Sequence, residues 1–98
     1  MEIRFRDERL ERLERDATFL GDWPLSIVKA YRKRINFIRQ VASERDLYSW
    51  KSLQIEKLKG ARQDEHSLRL NDQWRMVFAL ERRADSKVFV VIAIEDYH

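Results

Sequence analysis

The tightest constraint on the fold lies in the last third of the chain. His66, Leu68 and Leu70 alternate with Ser67 and Arg69, and Trp74, Met76, Phe78 and Leu80 alternate with Arg75, Val77 and Ala79. Successive side chains of a strand point to opposite faces, so each even-numbered set marks a core-facing side. For both sets to face one core, opposed residues must sum to an even number and the loop must have odd length. Asn71-Asp72-Gln73 meets this as a three-residue loop, with Asn or Asp in the left-handed position such loops use. The register then sets Leu70 opposite Trp74, Leu68 opposite Met76 and Arg69 opposite Arg75. Like charges directly opposed disfavour a sheet by up to ~1 kcal/mol. The arginine pair therefore reads as an anion site, as a pair neutralised by Asp72 or a nearby Glu, or as a sign that the loop length differs.

Residues 88–94 are apolar on both parities, which predicts a central strand covered on both faces, and residues 82–87 read as the turn before it. At the other end of the chain, Ile3 and Phe5 alternate with Arg4 and Arg6, a short strand. Asp7 then caps a helix whose stripe is Leu10, Leu13, Ala17 and Leu20, closed by Gly21-Asp22. Pro24 suits the first turn of a second helix, with a stripe of Ile27, Tyr31, Ile35, Ile38 and Ala42 and a polar face bearing Lys29, Arg32, Lys33 and Asn36. Two adjoining amphipathic helices read as an antiparallel hairpin. Residues 43–51 read as a short third helix or an ordered loop, and residues 61–65 as a polar turn. The predicted order is strand, helical hairpin, antiparallel β-meander, an α+β arrangement in one domain spanning residues 1–98.

Charge narrows the function. The net charge is only +3, but residues 25–62 hold ten Lys/Arg against three Asp/Glu, a net of +7, while each flank holds five against seven. A basic middle suggests a polyanion or an acidic protein as partner, or a solvated helix face rich in Arg. No apolar run approaches the ~18 residues of a membrane span. The absence of cysteine excludes a disulfide framework and thiolate metal ligation. A cytoplasmic protein is the simplest reading.

At the C-terminus, Glu95-Asp96-Tyr97-His98 follows directly on the last apolar strand. On composition His98 reads as a frayed tail or a tag remnant. Its closeness to the strand end instead allows it to share one end of the sheet with Arg69 and Arg75. His66 reads as a strand-edge residue, Trp74 as core, and Trp23 and Trp50 as packing anchors.

Three runs carry a resemblance: Glu56-Lys57-Leu58-Lys59-Gly60-x-Arg62, the stretch from His66-Ser67-Leu68-Arg69-Leu70 through Asn71-Asp72-Gln73-Trp74-Arg75, and the terminal Asp96-Tyr97-His98. Together, in order and at this length, they resemble the HigB toxins of the RelE/ParE superfamily. The resemblance covers the whole chain. It implies a RelE/ParE-like fold and a ribosome-dependent mRNA interferase that cuts mRNA in the ribosomal A site. Catalytic positions would fall on Lys59, Arg75, Asp96, Tyr97 and His98. RNA-binding positions would fall on Lys57, Arg62 and Arg69, with the helix cations Lys29, Arg32 and Lys33 available to ribosomal RNA. Some members carry His where this chain has Glu56. The implied partners are a HigA-like helix-turn-helix antitoxin, the ribosome with its mRNA, and operator DNA reached through the antitoxin; Trp23 or Trp50 is then an alternative antitoxin contact. No cofactor or metal is implied.

In the chemistry that follows, a ribose 2′-OH attacks the adjacent phosphate and leaves a 2′,3′-cyclic phosphate and a 5′-OH. Lys59, Arg69 and Arg75 suit charge stabilisation, and His98 suits proton transfer near neutrality. Tyr97 suits base stacking or phosphate orientation, and Asp96 suits orienting His98 or taking a proton. The alternatives are a ParE-like gyrase inhibitor on the same fold, and a non-catalytic domain binding RNA or protein.

Overall fold

The computed structural model describes residues 1–62 and 64–97, with Ala61 described by its backbone alone. His98 lies outside the described residues. The elements run β1 (Ile3–Phe5), α1 (Glu8–Arg15), α2 (Leu25–Gln40), α3 (Glu44–Ser49), a 3-10 turn (Lys51–Leu53), β2 (Glu56–Lys57), a second 3-10 turn (Gly60–Arg62), β3 (His66–Arg69), β4 (Trp74–Arg83) and β5 (Ser86–Asp96). The five strands form one mixed sheet in the order β1-β5-β4-β3-β2. β1 lies parallel to β5, and the other neighbours are antiparallel.

Helix α1 begins where the Asp7 carboxylate accepts the Arg9 backbone N–H at 2.8 Å, a bond that holds this carboxyl below its ordinary range. The helix is shorter than its apolar stripe suggested. Asp16 Oδ1 accepts both the backbone N–H and the hydroxyl of Thr18, a local alternative to the next helical turn. Ala17 and Leu20 therefore fall outside the helix, and Ala17 is exposed. The chain turns back at Gly21, whose φ is +61° and where a Cβ would stand 2.7 Å from the Trp23 ring.

Helix α2 buries Ile27, Val28, Tyr31, Ile35 and Ile38. It packs on α1 through polar contacts as well as apolar ones. Tyr31 donates its hydroxyl to the Leu10 carbonyl at 2.8 Å, and Arg39 grips Glu14 through two nitrogens. Pro24 sits one residue before the helix, where its carbonyl accepts from Ile27 and Val28.

The core lies between these helices and one face of the sheet, from Ile3 on β1 through Phe89, Val91 and Ile94 on β5 to Met76 and Phe78 on β4 and Leu68 on β3. The hairpin register is the expected one: Leu68 faces Met76, Arg69 faces Arg75, and Leu70 N–H donates to the Trp74 carbonyl at 2.9 Å. The turn is made differently. No residue from 71 to 73 has positive φ. Asn71 Oδ1 instead accepts the backbone N–H groups of Gln73 and Trp74, both at 2.8 Å, so a side chain bends the loop.

Strand β5 is apolar on both parities for two reasons. Val88 and Val90 are buried on the face away from the core. The register also shifts between Val77 and Phe78, from Ala93 to Val91, so Ile92 is an extra residue and Ile94 rejoins Val91 and Phe89 on the core side. The turn into β5 is Ala84-Asp85, with Ala84 at φ +49°. Arg82, Arg83, Ser86 and Lys87, expected in the turn, belong to the strands.

The link between β2 and β3 makes ion pairs with strand residues of the sheet and its edge. From it Arg62 reaches both carboxylate oxygens of Glu95 at 3.2 and 2.9 Å, and Glu65 comes within 3.9 Å of Arg6. β2 itself was not expected: two exposed residues at a sheet edge leave no periodic signal.

Candidate functional site at the end of the sheet

The β3–β4 turn and the end of β5 enclose a polar hollow of about 300 Å³. Gln54, Arg69, Asn71, Asp72, Arg75 and Tyr97 line it. Arg69 and Arg75 arrive there because the hairpin register opposes them. Tyr97 arrives because β5 runs alongside β4 to Asp96, which faces Trp74, and Tyr97 N–H then donates to the Gln73 carbonyl.

Arg75 is buried, contrary to what an RNA-facing strand residue suggests; its exposure is 6 %. Its Nε donates to Ser67 Oγ at 2.8 Å. Its Nη2 donates to the Gln54 carbonyl and to the Ser67 carbonyl at 3.3 Å. Gln54 has φ +45° and ψ +57°, a conformation uncommon outside glycine, which presents that carbonyl to the guanidinium. Three bonds thus fix the inner edge of Arg75. Nη1 has no partner among the described residues and is the donor left for the hollow. The Arg75 Cζ stands 5.5 Å from the centroid of the Tyr97 ring, and Tyr97 is 51 % exposed. The site therefore combines a pre-aimed cation with an open aromatic face.

Arg69 resolves its clash with Arg75 by pairing with Asp72. A third cation, Arg34 on α2, donates Nε to the Arg69 carbonyl at 3.2 Å. Burial first, and the charge of Arg69 second, hold Arg34 below its ordinary pKa. Arg34 was not singled out in the sequence. It lies three residues after Tyr31 and four before Ile38, on the flank of the apolar stripe, and that spacing was the available signal. Asp96 lies at the rim, where its Oδ2 accepts from Gln73 Nε2 at 3.1 Å.

The remaining expected site residues separate into groups. Lys57 and Lys59 are exposed on and just after β2, and neither lines the hollow. Lys29 and Lys33 are exposed on α2. Arg62 is held first by Glu95 and then by Glu65, each at 2.9 Å, and these bonds raise its pKa. Arg32, expected on the open face of α2, is turned toward α1. Its Nε donates to the Leu13 carbonyl at 2.7 Å, and its Nη2 donates to those of Asp16 and Phe19. These carbonyls belong to the end of α1 and the turn beyond, where intrahelical donors run out.

His66 faces the core, stacked on Phe78 at 5.6 Å and edge-on to Tyr48. Its Nδ1 is buried with no hydrogen-bond partner among the described residues. Burial first, and Lys57 second, lower its pKa. Among the described residues no three His, Asp or Glu side chains converge as metal ligands do, and no helix is long and apolar enough to cross a membrane.

The described residues thus form a mixed sheet with helices on one face and a cationic hollow at one end. The fold is similar to that of the YoeB/ParE toxin from Agrobacterium tumefaciens, with a TM-score of 0.57, 18% identity and coverage of 100% of both chains. It is also similar to the YoeB dimer from Staphylococcus aureus, with a TM-score of 0.53, 20% identity and coverage of 100% of this chain and 97% of that one. No curated protein sequence matches significantly. Residues 3–98 match the family model of RelE-like toxins of the type II toxin–antitoxin system HigB. The chain belongs to this HigB-like toxin family, and a type II toxin implies an antitoxin partner.

Proposed function

We propose that this toxin is a ribosome-dependent mRNA interferase whose substrate phosphate sits in the hollow between Arg69, Arg75 and Tyr97. The observation that carries this reading is Arg75. A buried guanidinium anchored by three hydrogen bonds, with Nη1 left over at a cationic cavity, is a donor organised before any anion arrives. Preorganised donors stabilise charge that develops in a transition state without reorganising as it forms.

In the reaction, the 2′-OH oxygen attacks the neighbouring phosphorus, the P–O5′ bond breaks, and a 2′,3′-cyclic phosphate and a 5′-OH result. Arg75 and Arg69 hold the phosphorane oxygens, with Lys59 as an additional cation. Tyr97 offers a ring on which a base stacks. Asp96 and His98, two residues apart in the sequence, supply proton transfer, one removing the 2′-OH proton and the other protonating the leaving 5′ oxygen. Activity needs no metal and no cofactor. The toxin works in the cytoplasm, is held by a HigA-like helix-turn-helix antitoxin, and meets operator DNA only through it. Exposed Lys29, Lys33 and Lys57 serve ribosomal RNA. Arg62 is left out of the RNA surface because Glu65 and Glu95 engage all three of its nitrogens, and Arg32 because its Nε and Nη2 are turned onto the α1 carbonyls, away from the hollow.

The test is primer-extension mapping of mRNA in a reconstituted translation mix, with and without ribosomes. Cuts within codons only during translation, with cyclic-phosphate ends, are the expected result. Inhibition of gyrase supercoiling with intact mRNA would replace this reading with the ParE-like one.

A further inference from the structure

A second hollow, of about 200 Å³, is lined by Lys33, Arg34, Phe37, Trp50, Ser52 and Leu53. Its most unusual member is Trp50, which is 53 % exposed. The indole is not loose. It meets the Phe37 ring edge-on, with centroids 4.9 Å apart and planes at 77°, and Phe37 itself packs against the core. Tertiary contact thus holds a large aromatic ring in one orientation while leaving much of it in water, beside two cations.

Two links join this hollow to the first. Arg34, which lines the second, donates to the carbonyl of Arg69, which lines the first. Leu53, which lines the second, is followed in the chain by Gln54, whose carbonyl anchors Arg75. Arg34 has no other partner among the described residues, so its Nη nitrogens remain available. Each hollow thus pairs an exposed aromatic, Tyr97 or Trp50, with two cations, and the two are tied to one another through Arg34 and Gln54. Single-stranded nucleic acids are gripped this way, with phosphates following a basic groove and bases stacking on aromatic platforms. A polynucleotide repeats both groups at every step and so engages both hollows at once, whereas an acidic peptide segment would use only the cations.

We propose that Trp50, Lys33 and Arg34 form a second nucleotide subsite, in which a base flanking the reacting position stacks on the indole and its phosphate meets the two cations. The subsite rests on the RNA-cleaving reading, and it makes Trp50 a positioning residue that selects how the strand lies across the site.

The test measures binding of 2′-O-methyl RNA oligonucleotides, which bind but are not cut, by fluorescence anisotropy. One oligonucleotide is about three nucleotides long and fills the first hollow alone; another of about eight reaches both. Trp50→Ala is expected to weaken the long oligonucleotide about tenfold and leave the short one unchanged, with Trp50→Phe retaining most of the affinity. Arg69→Ala is expected to weaken both. Equal binding of the long oligonucleotide by wild type and Trp50→Ala, with Arg69→Ala still weak, overturns the subsite and leaves the RNA-cleaving reading standing. Unchanged RNA binding by Trp50→Ala together with loss of antitoxin binding also overturns it, and assigns Trp50 to the protein partner. No binding of either oligonucleotide by the wild type overturns the subsite and leaves the RNA-cleaving reading to the translation assay. Matching thermal melts of the variants exclude misfolding as the cause.

Discussion

Helix α2 carries arginines on two flanks, and the two flanks have different fates. On the side toward α1, Arg32 is engaged by three backbone carbonyls and Arg39 by the Glu14 carboxylate. On the side toward the sheet, Arg34 makes one bond, to the Arg69 carbonyl, and feels the charge of Arg69. Both flanks contribute to the same basic stretch of sequence. They differ in how many of their donors are already satisfied. A cation whose bonded nitrogens tie two helices together stabilises the fold; one with nitrogens left over beside a hollow lined by other cations can attract an anion. On the proposed reading, what surrounds the leftover donors, and not the sign of charge, separates scaffold from site.

The largest effect that sharpens this contrast is expected at Arg75. Arg75→Ala removes the pre-aimed donor and should lower cleavage by about 100-fold or more, the scale seen when one preorganised transition-state donor is lost. Arg75→Lys keeps the charge but loses the fork that binds Ser67 and Gln54 together, so it should fall between alanine and wild type. Cleavage rates normalised to folded protein check both.

Arg32→Ala should show the opposite pattern. It strips donors from carbonyls at the end of α1 and should destabilise the fold by about 2 kcal/mol, read from urea denaturation, while cleavage per folded molecule is unchanged. A loss of cleavage without loss of stability would break the distinction between the flanks.

A smaller effect is expected at Asp72, the carboxylate that pairs with Arg69 and lines the first hollow. Asp72→Asn releases Arg69 and should tighten RNA oligonucleotide binding about threefold, with a steeper dependence on salt as one more cation meets phosphate. Anisotropy titrations at two ionic strengths measure it.

The smallest effect concerns His66. Its folded pKa lies below the ordinary 6.5 because burial and Lys57 disfavour the charged ring. Between that lowered value and 6.5 the unfolded chain binds more protons than the folded one, so stability falls as pH drops through this window. His66→Phe should flatten that part of the stability profile in urea melts taken from pH 7 to pH 5.

Much of the framework was legible because it follows from periodicity. Strict alternation in residues 66–80 determined the hairpin register, and with it the opposition of Arg69 and Arg75, without any knowledge of the rest of the chain. What was not legible depended on side chains reaching across the fold. The end of α1 depends on Asp16 capturing Thr18, and an apolar stripe continuing to Leu20 masks it. The extra residue in β5 is hidden because a bulge and two-sided burial produce the same run of apolar residues. Arg34 and Arg32 are two residues apart in the sequence, and only the neighbours each one meets reveal which belongs to the site. His98, expected from the resemblance to take part in catalysis, lies outside the described residues.

The most direct measurement sets Arg69→Ala beside Arg62→Ala in the same assay of ribosome-bound mRNA cleavage. Arg69 lines the hollow and Arg62 is closed off by Glu65 and Glu95. Cleavage lowered about tenfold by Arg69→Ala and no more than about threefold by Arg62→Ala is the predicted result. Equal losses from the two variants, with both folded, would contradict the account.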